Sequence, residues 1–360
     1  MLKVLFLRST FDPGGTETLL LNLFNYQQNK IEFHYVLLKD GILIPNLISQ
    51  YNKMYRLFRK SKFDIKVLIK VLKILKYNQI KVIHSHQLIE LFYAIIIKCF
   101  FPKVKLFHTV HGYTKENDLN QLLERFLLIF TKQSFTVSKA SKEILVKRGY
   151  PSNKISILYN AVKIPQNASE SDISNFKAKI KYNPSDFIIG MIGNFVWWKD
   201  QITIVKAFNL LKNEIPELKL ILIGRESELS EKCKLLLTEE ELKEKVFFLG
   251  VVENASRYAK FFNLFIMSTL MDSFGIVVIE ALMLKVPVIA SDIEVMRELS
   301  HNGKYFELFE KENPISLANL IKQSNTLQKK KMVETAFDFA ASNFSYENYI
   351  YQLFNYYITM

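Results

Sequence analysis

At 360 residues the chain exceeds one ordinary domain and fits two α/β domains of about 150 to 180 residues each. Hydrophobic residues make up 49% and charged residues 23%, and only 11 Gly and 9 Pro leave little room for disordered or collagen-like sequence. The net charge of +13 is unevenly held: residues 1–165 carry 26 Lys and Arg against 10 Asp and Glu, and the remaining 195 carry 22 against 25.

Short β-branched or aromatic runs alternate with longer helical patterns from end to end, the signature of βαβ units and a mainly parallel sheet. In the first series the predicted strands are Lys3 to Arg8, Phe33 to Leu38, Lys81 to His84, Leu106 to Val110, Ser134 to Val137 and Ile155 to Tyr159. The first strand runs into Phe11-Asp12-Pro13-Gly14-Gly15-Thr16-Glu17, ahead of a helix predicted over Thr18 to Tyr26. Residues 53–76 hold nine Lys and Arg and one acid, Asp64. Asp64 can cap a helix with Lys66, Lys70 and Lys73 on one face and Ile65, Leu68, Ile69 and Leu72 on the other. Leu88 to Phe101 is the most apolar stretch, but it carries Glu90 and Lys98 and is shorter than the roughly 20 residues of a spanning helix. No transmembrane segment is expected.

A polar stretch from Asn160 to Asp186, with Pro165 and Pro184, marks the linker. The second series then gives strands at Phe187 to Ile192, Lys219 to Ile223, Val246 to Leu249, Leu264 to Met267 and Pro287 to Ala290. The chain ends in a helical pattern with an aromatic face: Tyr346, Tyr349, Ile350, Leu353, Phe354 and Tyr357. Cys99 and Cys233 lack any partner spacing, so neither a disulfide framework nor a cysteine metal site is expected. The N-terminus has no signal-peptide core, and a reducing cytosol is the expected compartment.

The strongest motif is Asp272-Ser273-Phe274-Gly275-Ile276, followed by an apolar helix containing Glu280. A helix beginning near Phe274 or Gly275 points unpaired N–H groups and its positive dipole end at the crevice above a parallel sheet, an anion site that needs no metal. A carboxylate such as Glu280 accepts from both hydroxyls of a ribose. An isolated Glu in a helix is ordinarily just solvated; the acid eight residues upstream, the Phe-Gly and the strand that follows argue against that here. A second motif runs from Gly193 and Asn194 to Lys199. Its ammonium can meet a diphosphate, although a solvated lysine after a surface turn explains the spacing too. Gly14-Gly15 forms neither a Walker loop nor a Gly-x-Gly-x-x-Gly turn. His84, His86, His108 and His111 end two neighbouring strands. Such spacings are expected to alternate faces or diverge, so a metal set is not anticipated; His84 reads as a core histidine and His111 as a hydrogen-bonding one.

Taken together these residues resemble the family-four (group 1) retaining glycosyltransferases of the GT-B fold. The resemblance spans nearly the whole chain, from Gly14-Gly15-Thr16-Glu17 through His111-Gly112, Val137-Ser138-Lys139, Tyr159-Asn160-Ala161-Val162, Gly193 with Lys199, and Phe248-Leu249-Gly250 to Asp272-Ser273-Phe274-Gly275 with Glu280. It implies an α/β fold of two Rossmann-like doubly wound parallel-sheet domains facing a central cleft. Residues 1–163 would be the acceptor-binding domain, 164–342 the nucleotide-sugar-binding domain, and 343–360 a helix crossing back. It also implies transfer of a hexose-type sugar with retention, without a metal, from a UDP- or GDP-sugar to a glycan or polyprenyl-diphosphate-linked acceptor, as in bacterial surface-polysaccharide synthesis. Lys199, Asp272 and His111 would be catalytic. Glu280, Gly15, Gly193, Asn194, Ser273, Phe274, Gly275 and Ile276 would bind the donor. The sequence departs from the family twice. Asp272 stands where Glu is usual, one methylene shorter, and Asn194 where Arg is common, so that Lys199 carries more of the phosphate charge. There is no Asp-x-Asp motif of the kind that holds a metal-diphosphate.

The basic N-terminal half suggests peripheral docking on the cytoplasmic face of an anionic membrane, where each basic residue gains roughly 1 kcal/mol. A nucleic-acid-binding protein is the remote alternative, disfavoured because no helix-turn-helix, RNA-binding sheet motif or zinc knuckle is evident. A nucleotide-sugar epimerase, a phosphorylase or a catalytically impaired relative keeps the fold and changes the chemistry.

Overall fold

The computed structural model describes residues 1–12, 14–48, 50–112, 119–324 and 327–360, the side chains of 327–330 excepted. The chain forms two compact units, one of Met1–Val162 with Phe344–Met360 and one of Lys163–Asn343.

The first unit is built on a seven-stranded sheet: β1 (Leu2–Arg8), β2 (Ile31–Leu37), β3 (Lys53–Arg56), β4 (Val82–Ser85), β5 (Lys105–Val110), β6 (Gln133–Thr136) and β7 (Ile155–Ile157). Their order is β3-β2-β1-β4-β5-β6-β7, and every pairing is parallel. The sheet is covered on both faces, so β1 is an almost unbroken apolar run rather than an alternating one. Val4, Phe6, Phe33 and Tyr35 pack on one side against helix Gly15–Asn25 and the closing helix Tyr346–Thr359, through Leu19, Leu20, Leu23, Tyr349, Ile350 and Leu353. Leu5, Leu7 and Val36 pack on the other side against helices Ile65–Asn78 and Leu88–Phe100. The Tyr346 hydroxyl donates to the Leu19 carbonyl (3.2 Å), pinning the aromatic face of the closing helix to this core.

Helix Ile65–Asn78 starts where the sequence places it, with Asp64 accepting from the backbone N–H groups of Lys66 and Val67. Its core face differs from the sequence reading. Val67, Leu68, Val71 and Leu75 are buried, whereas Ile65 and Ile69 are exposed beside Lys66, Lys70 and Lys73. The stripe at 67, 68, 71 and 75 meets Leu5, Leu7 and Val36, and the helix turns its flanking isoleucines outward.

The second unit carries six parallel strands: β8 (Phe187–Ile192), β9 (Leu218–Ile223), β10 (Val246–Phe248), β11 (Leu264–Met267), β12 (Val288–Ser291) and β13 (Glu307–Phe309). The order is β10-β9-β8-β11-β12-β13. Both sheets therefore reverse winding once, between β1 and β4 in the first and between β8 and β11 in the second. Doubly wound sheets bind ligands outside the carboxyl ends of the strands at such switch points. Two short edge strands, β3 and β13, escape the sequence reading. The first is where Lys53 and Arg56 of the basic cluster reside.

Candidate functional site

At the switch point of the second sheet, β8 ends at Ile192 and leads through Gly193, Asn194 and a turn of 3-10 helix, Trp197–Lys199, into helix Gln201–Leu211. The neighbouring β11 leads through residues 268–275 into helix Ile276–Met283. These connections are tied together at the main chain. The Trp198 carbonyl accepts from Leu270 N (2.7 Å) and from the Thr269 hydroxyl (2.8 Å), and the Lys199 carbonyl accepts from the Ser268 hydroxyl (2.8 Å). Gln201 Nε2 donates to the carbonyls of Gly193 (3.2 Å) and Asn194 (3.1 Å), fixing the turn from the other side.

This framework brings Lys199 Nζ to 2.8 Å from Asp272 Oδ2, each side chain 18% exposed. The other Asp272 oxygen accepts from Phe274 N (3.2 Å). Phe274 is buried, and Gly275 caps the helix with φ 92° and no side-chain cap bond. That left-handed φ favours glycine, and an added Cβ would lie 2.9 Å from Met296 Cε. The N–H groups of Val278 and Ile279 already donate to the Gly275 carbonyl (3.0 and 3.3 Å), and with no side-chain cap the positive dipole end ahead of them carries no side-chain acceptor from Gly275. Ser273 and Ile276 flank this tip on the chain. Glu280 lies one turn further along, and burial raises its carboxyl to about 7 against a hydrogen bond from Ser256.

Asn194 does not take the place of a cation. Its Oδ1 accepts from Arg225 N (2.9 Å), and Phe195 N donates to the Arg225 carbonyl (3.0 Å). These bonds hold the exposed Arg225, at the end of β9, beside the Gly193–Asn194 turn. The approach is close: a Cβ on Gly224 would sit 2.1 Å from the Gly193 carbonyl oxygen. Arg225 was missed from sequence, and the Gly-Arg pair directly after a predicted strand was the available signal.

Gly15 and His111 belong to the first unit. Gly15 opens helix Gly15–Asn25, three residues before the sequence placed the helix start. Below that turn lies a buried ion cluster that sequence reasoning did not find. Arg8 donates to Glu17 (2.7 Å) and lies 3.3 Å from Glu90, and both Arg8 and Glu90 are fully buried. Burial raises the Glu17 carboxyl, with the Arg8 cation opposing. Glu90 also accepts from the backbone N–H groups of Ser9 (2.7 Å) and His86 (2.8 Å), so one carboxylate ties the ends of β1 and β4 together at the first switch point.

The expectation that the strand-end histidines diverge is corrected. Residues i and i+2 of a strand share a face, and the His84 and His86 rings stack at 4.5 Å. His86 Nδ1 in turn lies 2.8 Å from His111 Nε2. His84 is a satisfied core histidine, bonded to the hydroxyls of Tyr357 and Thr109. Among the described residues no cluster of three or more His, Cys, Asp or Glu side chains is arranged to hold a metal ion.

Comparison with known proteins completes the picture. A profile described as Glycosyltransferase Family 4 matches residues 13–164, and one described as Glycosyl transferases group 1 matches residues 172–336. The chain is 26% identical to the N-acetylgalactosamine-N,N'-diacetylbacillosaminyl-diphospho-undecaprenol 4-alpha-N-acetylgalactosaminyltransferase of Campylobacter jejuni, over 84% of this chain and 85% of that protein. It is 32% identical to a glycosyltransferase of Methanocaldococcus jannaschii over 38% of this chain and 35% of that one. Among solved structures, Anabaena HepE in complex with UDP and glucose matches all of both chains with a TM-score of 0.82 at 20% identity. With two parallel-sheet Rossmann-like units and both halves matched by these profiles, the chain belongs to the group 1, family-four glycosyltransferases of the GT-B fold.

Proposed function

We propose that the second unit binds a UDP- or GDP-sugar, and that the enzyme transfers a hexose-type sugar from it with retention and without a metal. The proposed acceptor is a glycan or polyprenyl-diphosphate-linked sugar of bacterial surface-polysaccharide synthesis. The observation that carries this reading is the Lys199–Asp272 pair beside the Gly275 helix tip, with the high-pKa Glu280 one turn behind. HepE has been crystallised with UDP-glucose, and the Campylobacter relative is named for an undecaprenyl-diphosphate acceptor.

In this reading the helix tip and Lys199 receive the diphosphate, with Gly193, Asn194, Ser273, Phe274 and Ile276 lining its approach. Lysine has three donors. It can therefore keep Asp272 while donating to a phosphate oxygen. As the sugar departs, negative charge grows on the nucleotide, and donors already aimed at it lower the barrier with no reorganisation at that moment. Asp272, held by Lys199 and Phe274 N, accepts from hydroxyls of the transferred sugar, and His111 hydrogen-bonds a further one. Glu280 accepts from the ribose. Gly15 opens the helix at the first unit's switch point, where a backbone without side chains lets phosphate come near. Retention places the acceptor's attack on the face that the nucleotide leaves.

Lys199→Ala is expected to lower kcat about 100-fold or more, with Lys199→Arg recovering part of the loss, measured as sugar transfer with nucleotide release followed in parallel. Unchanged turnover in Lys199→Ala would refute the role. Nucleotide release without any acceptor dependence would point to donor hydrolysis instead, and a donor isomerised without nucleotide release to epimerase chemistry. The same proposal extends to a peripheral location. No described helix is long and apolar enough to cross a membrane, and exposed Lys60, Lys62, Lys66, Lys70 and Lys73 stand with exposed Ile65 and Ile69 on one part of the first unit.

A further inference from the structure

Helix Leu119–Leu127 and the 3-10 turn Leu128–Phe130 that follows it, between β5 and β6 on the chain, present their side chains in reverse order for a surface element. The polar ones point into the unit. Glu124 accepts from the Tyr150 hydroxyl (2.9 Å) and lies 3.2 Å from His108 Nε2. Gln121 Oε1 accepts from Arg148 (3.0 Å), and Arg125 donates to the Arg148 carbonyl (2.9 Å). Leu127 and Leu128 complete the inward face and are buried in the core on this side of the sheet. What is left for the outside is apolar: Leu122, Leu123, Phe126, Ile129 and Phe130 are all exposed, Phe126 by 59% and Ile129 by 53%. Their spacing puts them side by side, and the Phe126 and Phe130 rings meet edge to face at 6.4 Å. A surface helix ordinarily turns its apolar stripe to the core and its charges to water. Single exposed apolar residues need no explanation, but a contiguous apolar patch is an interaction surface.

Charge decides what covers it. Residues 119–157 hold seven Lys and Arg against two acids, Glu124 and Glu143, and Glu124 is already engaged inside the unit. Exposed Lys132 follows Phe130 by two residues, and exposed Lys147 adjoins the Arg148 that holds Gln121 and Arg125. A second copy of this chain would bring the same basic rim against itself, and like charges facing one another oppose pairing. An anionic bilayer offers the opposite charge at its surface and apolar depth beneath it. Helices Ile65–Asn78, Leu88–Phe100, Leu119–Leu127 and Lys139–Lys147 all pack on one core, through Val71, Ile97, Leu127 and Leu145. The exposed lysines and isoleucines of the first therefore belong to the same helical layer as the apolar face of the third.

We infer that the apolar face from Leu122 to Phe130 inserts into the acyl-chain boundary of an anionic phospholipid bilayer, with the lysines of the same helical layer on the headgroups. This rests on the peripheral location proposed above and names the element that enters the membrane. It also divides the attraction into two parts. Salt screens the lysine part, whereas burial of Phe126, Ile129 and Phe130 is not screened.

The test is flotation of the full-length protein with vesicles of phosphatidylglycerol and phosphatidylcholine, at low and high salt, comparing the wild type with Phe126→Ser/Ile129→Ser, which alters no charge. The wild type is expected to float at low salt and to keep part of its binding at high salt. The double variant is expected to partition about 10-fold less or weaker at low salt and not at all at high salt. Because both side chains are exposed in the free protein, it should melt no lower than the wild type. Phe126→Trp is expected to be quenched by phospholipids brominated on their acyl chains, beyond any quenching of the two native tryptophans, Trp197 and Trp198. Equal partitioning of the wild type and the double variant, or no added quenching, overturns the insertion and leaves the peripheral location standing. Absence of wild-type flotation defeats both. A double variant that melts well below the wild type, or a wild-type dimer in sedimentation that the double variant dissolves, assigns the face to the protein itself and overturns the inference.

Discussion

Glu280 shows how a buried carboxyl links pH to both stability and binding. Its native pKa is raised from 4.5 to about 7, so the folded chain keeps a proton that the unfolded chain loses across that window. Stability therefore falls as pH rises from 4.5 to 7, by up to about 3 kcal/mol at about 1.4 kcal/mol per pH unit. Glu280→Gln removes the ionisation. The nucleotide-free variant is expected to melt above the wild type at pH 8 and to match it at pH 4. Ribose hydroxyls favour the ionised acceptor, so nucleotide affinity of the wild type should rise between pH 5.5 and 7.5, and that of Glu280→Gln should be lower and flat. Calorimetry with pH-independent wild-type affinity would remove Glu280 from the ribose. Glu280 was legible as a candidate from the sequence, because a Glu inside an apolar helix behind a Gly is conspicuous. The burial that raises its pKa was not, since burial comes only with the folded unit, and the opposing Ser256 hydrogen bond comes from a separate 3-10 helix, Ala255–Phe261.

The same division holds for Lys199 and Asp272. Each was singled out on its own loop, for the diphosphate and for the sugar. Their direct pairing across 73 residues follows from the Ser268, Thr269 and Leu270 bonds to the main chain of residues 198 and 199. No periodicity encodes that. Arg8 was passed over as the polar end of an apolar strand, although a guanidinium that ends fully buried between two carboxylates is a strong constraint on the Gly14-Gly15 turn.

Among elements, the long apolar strands were readable because both faces of each sheet are covered and hydrophobicity runs without interruption. All eleven strands named from sequence lie within a residue or two of their positions in the structure. The two that were missed, Lys53–Arg56 and Glu307–Phe309, are short edge strands whose polar residues face water, and they are specified by the neighbour's register rather than by their own pattern. Helix Ile65–Asn78 was found and its apolar face was misassigned, because Ile65 and Ile69 look like core and instead flank the lysines. The corrected face suits the proposed membrane docking better, since it adds exposed isoleucines to exposed ammonium groups. Flotation with vesicles of anionic phospholipid is expected to recover the wild type and to lose most of it for Lys66→Glu/Lys70→Glu/Lys73→Glu. Equal flotation of both proteins would place the docking elsewhere, and none with the wild type would refute it.

For the whole molecule, the sequence made the doubling visible through two strand series and a polar linker. The structure adds that both sheets follow one strand order, with a seventh strand, β7, extending the first. The chemistry is unequally divided. The first half holds the whole basic surplus and the histidine pair, and the second, with slightly more acids than bases, holds Lys199, the helix tip and Glu280. An otherwise acid-leaning unit that pairs a lysine with Asp272, three residues ahead of the Gly275 helix cap, has a reason to do so if a diphosphate binds there. Titration calorimetry of the intact enzyme with UDP- and GDP-sugars, repeated on Lys199→Ala and Glu280→Ala, tests this most directly. One nucleotide class should bind to the wild type and lose at least 10-fold in affinity with each substitution; affinity unchanged in both variants would contradict the account.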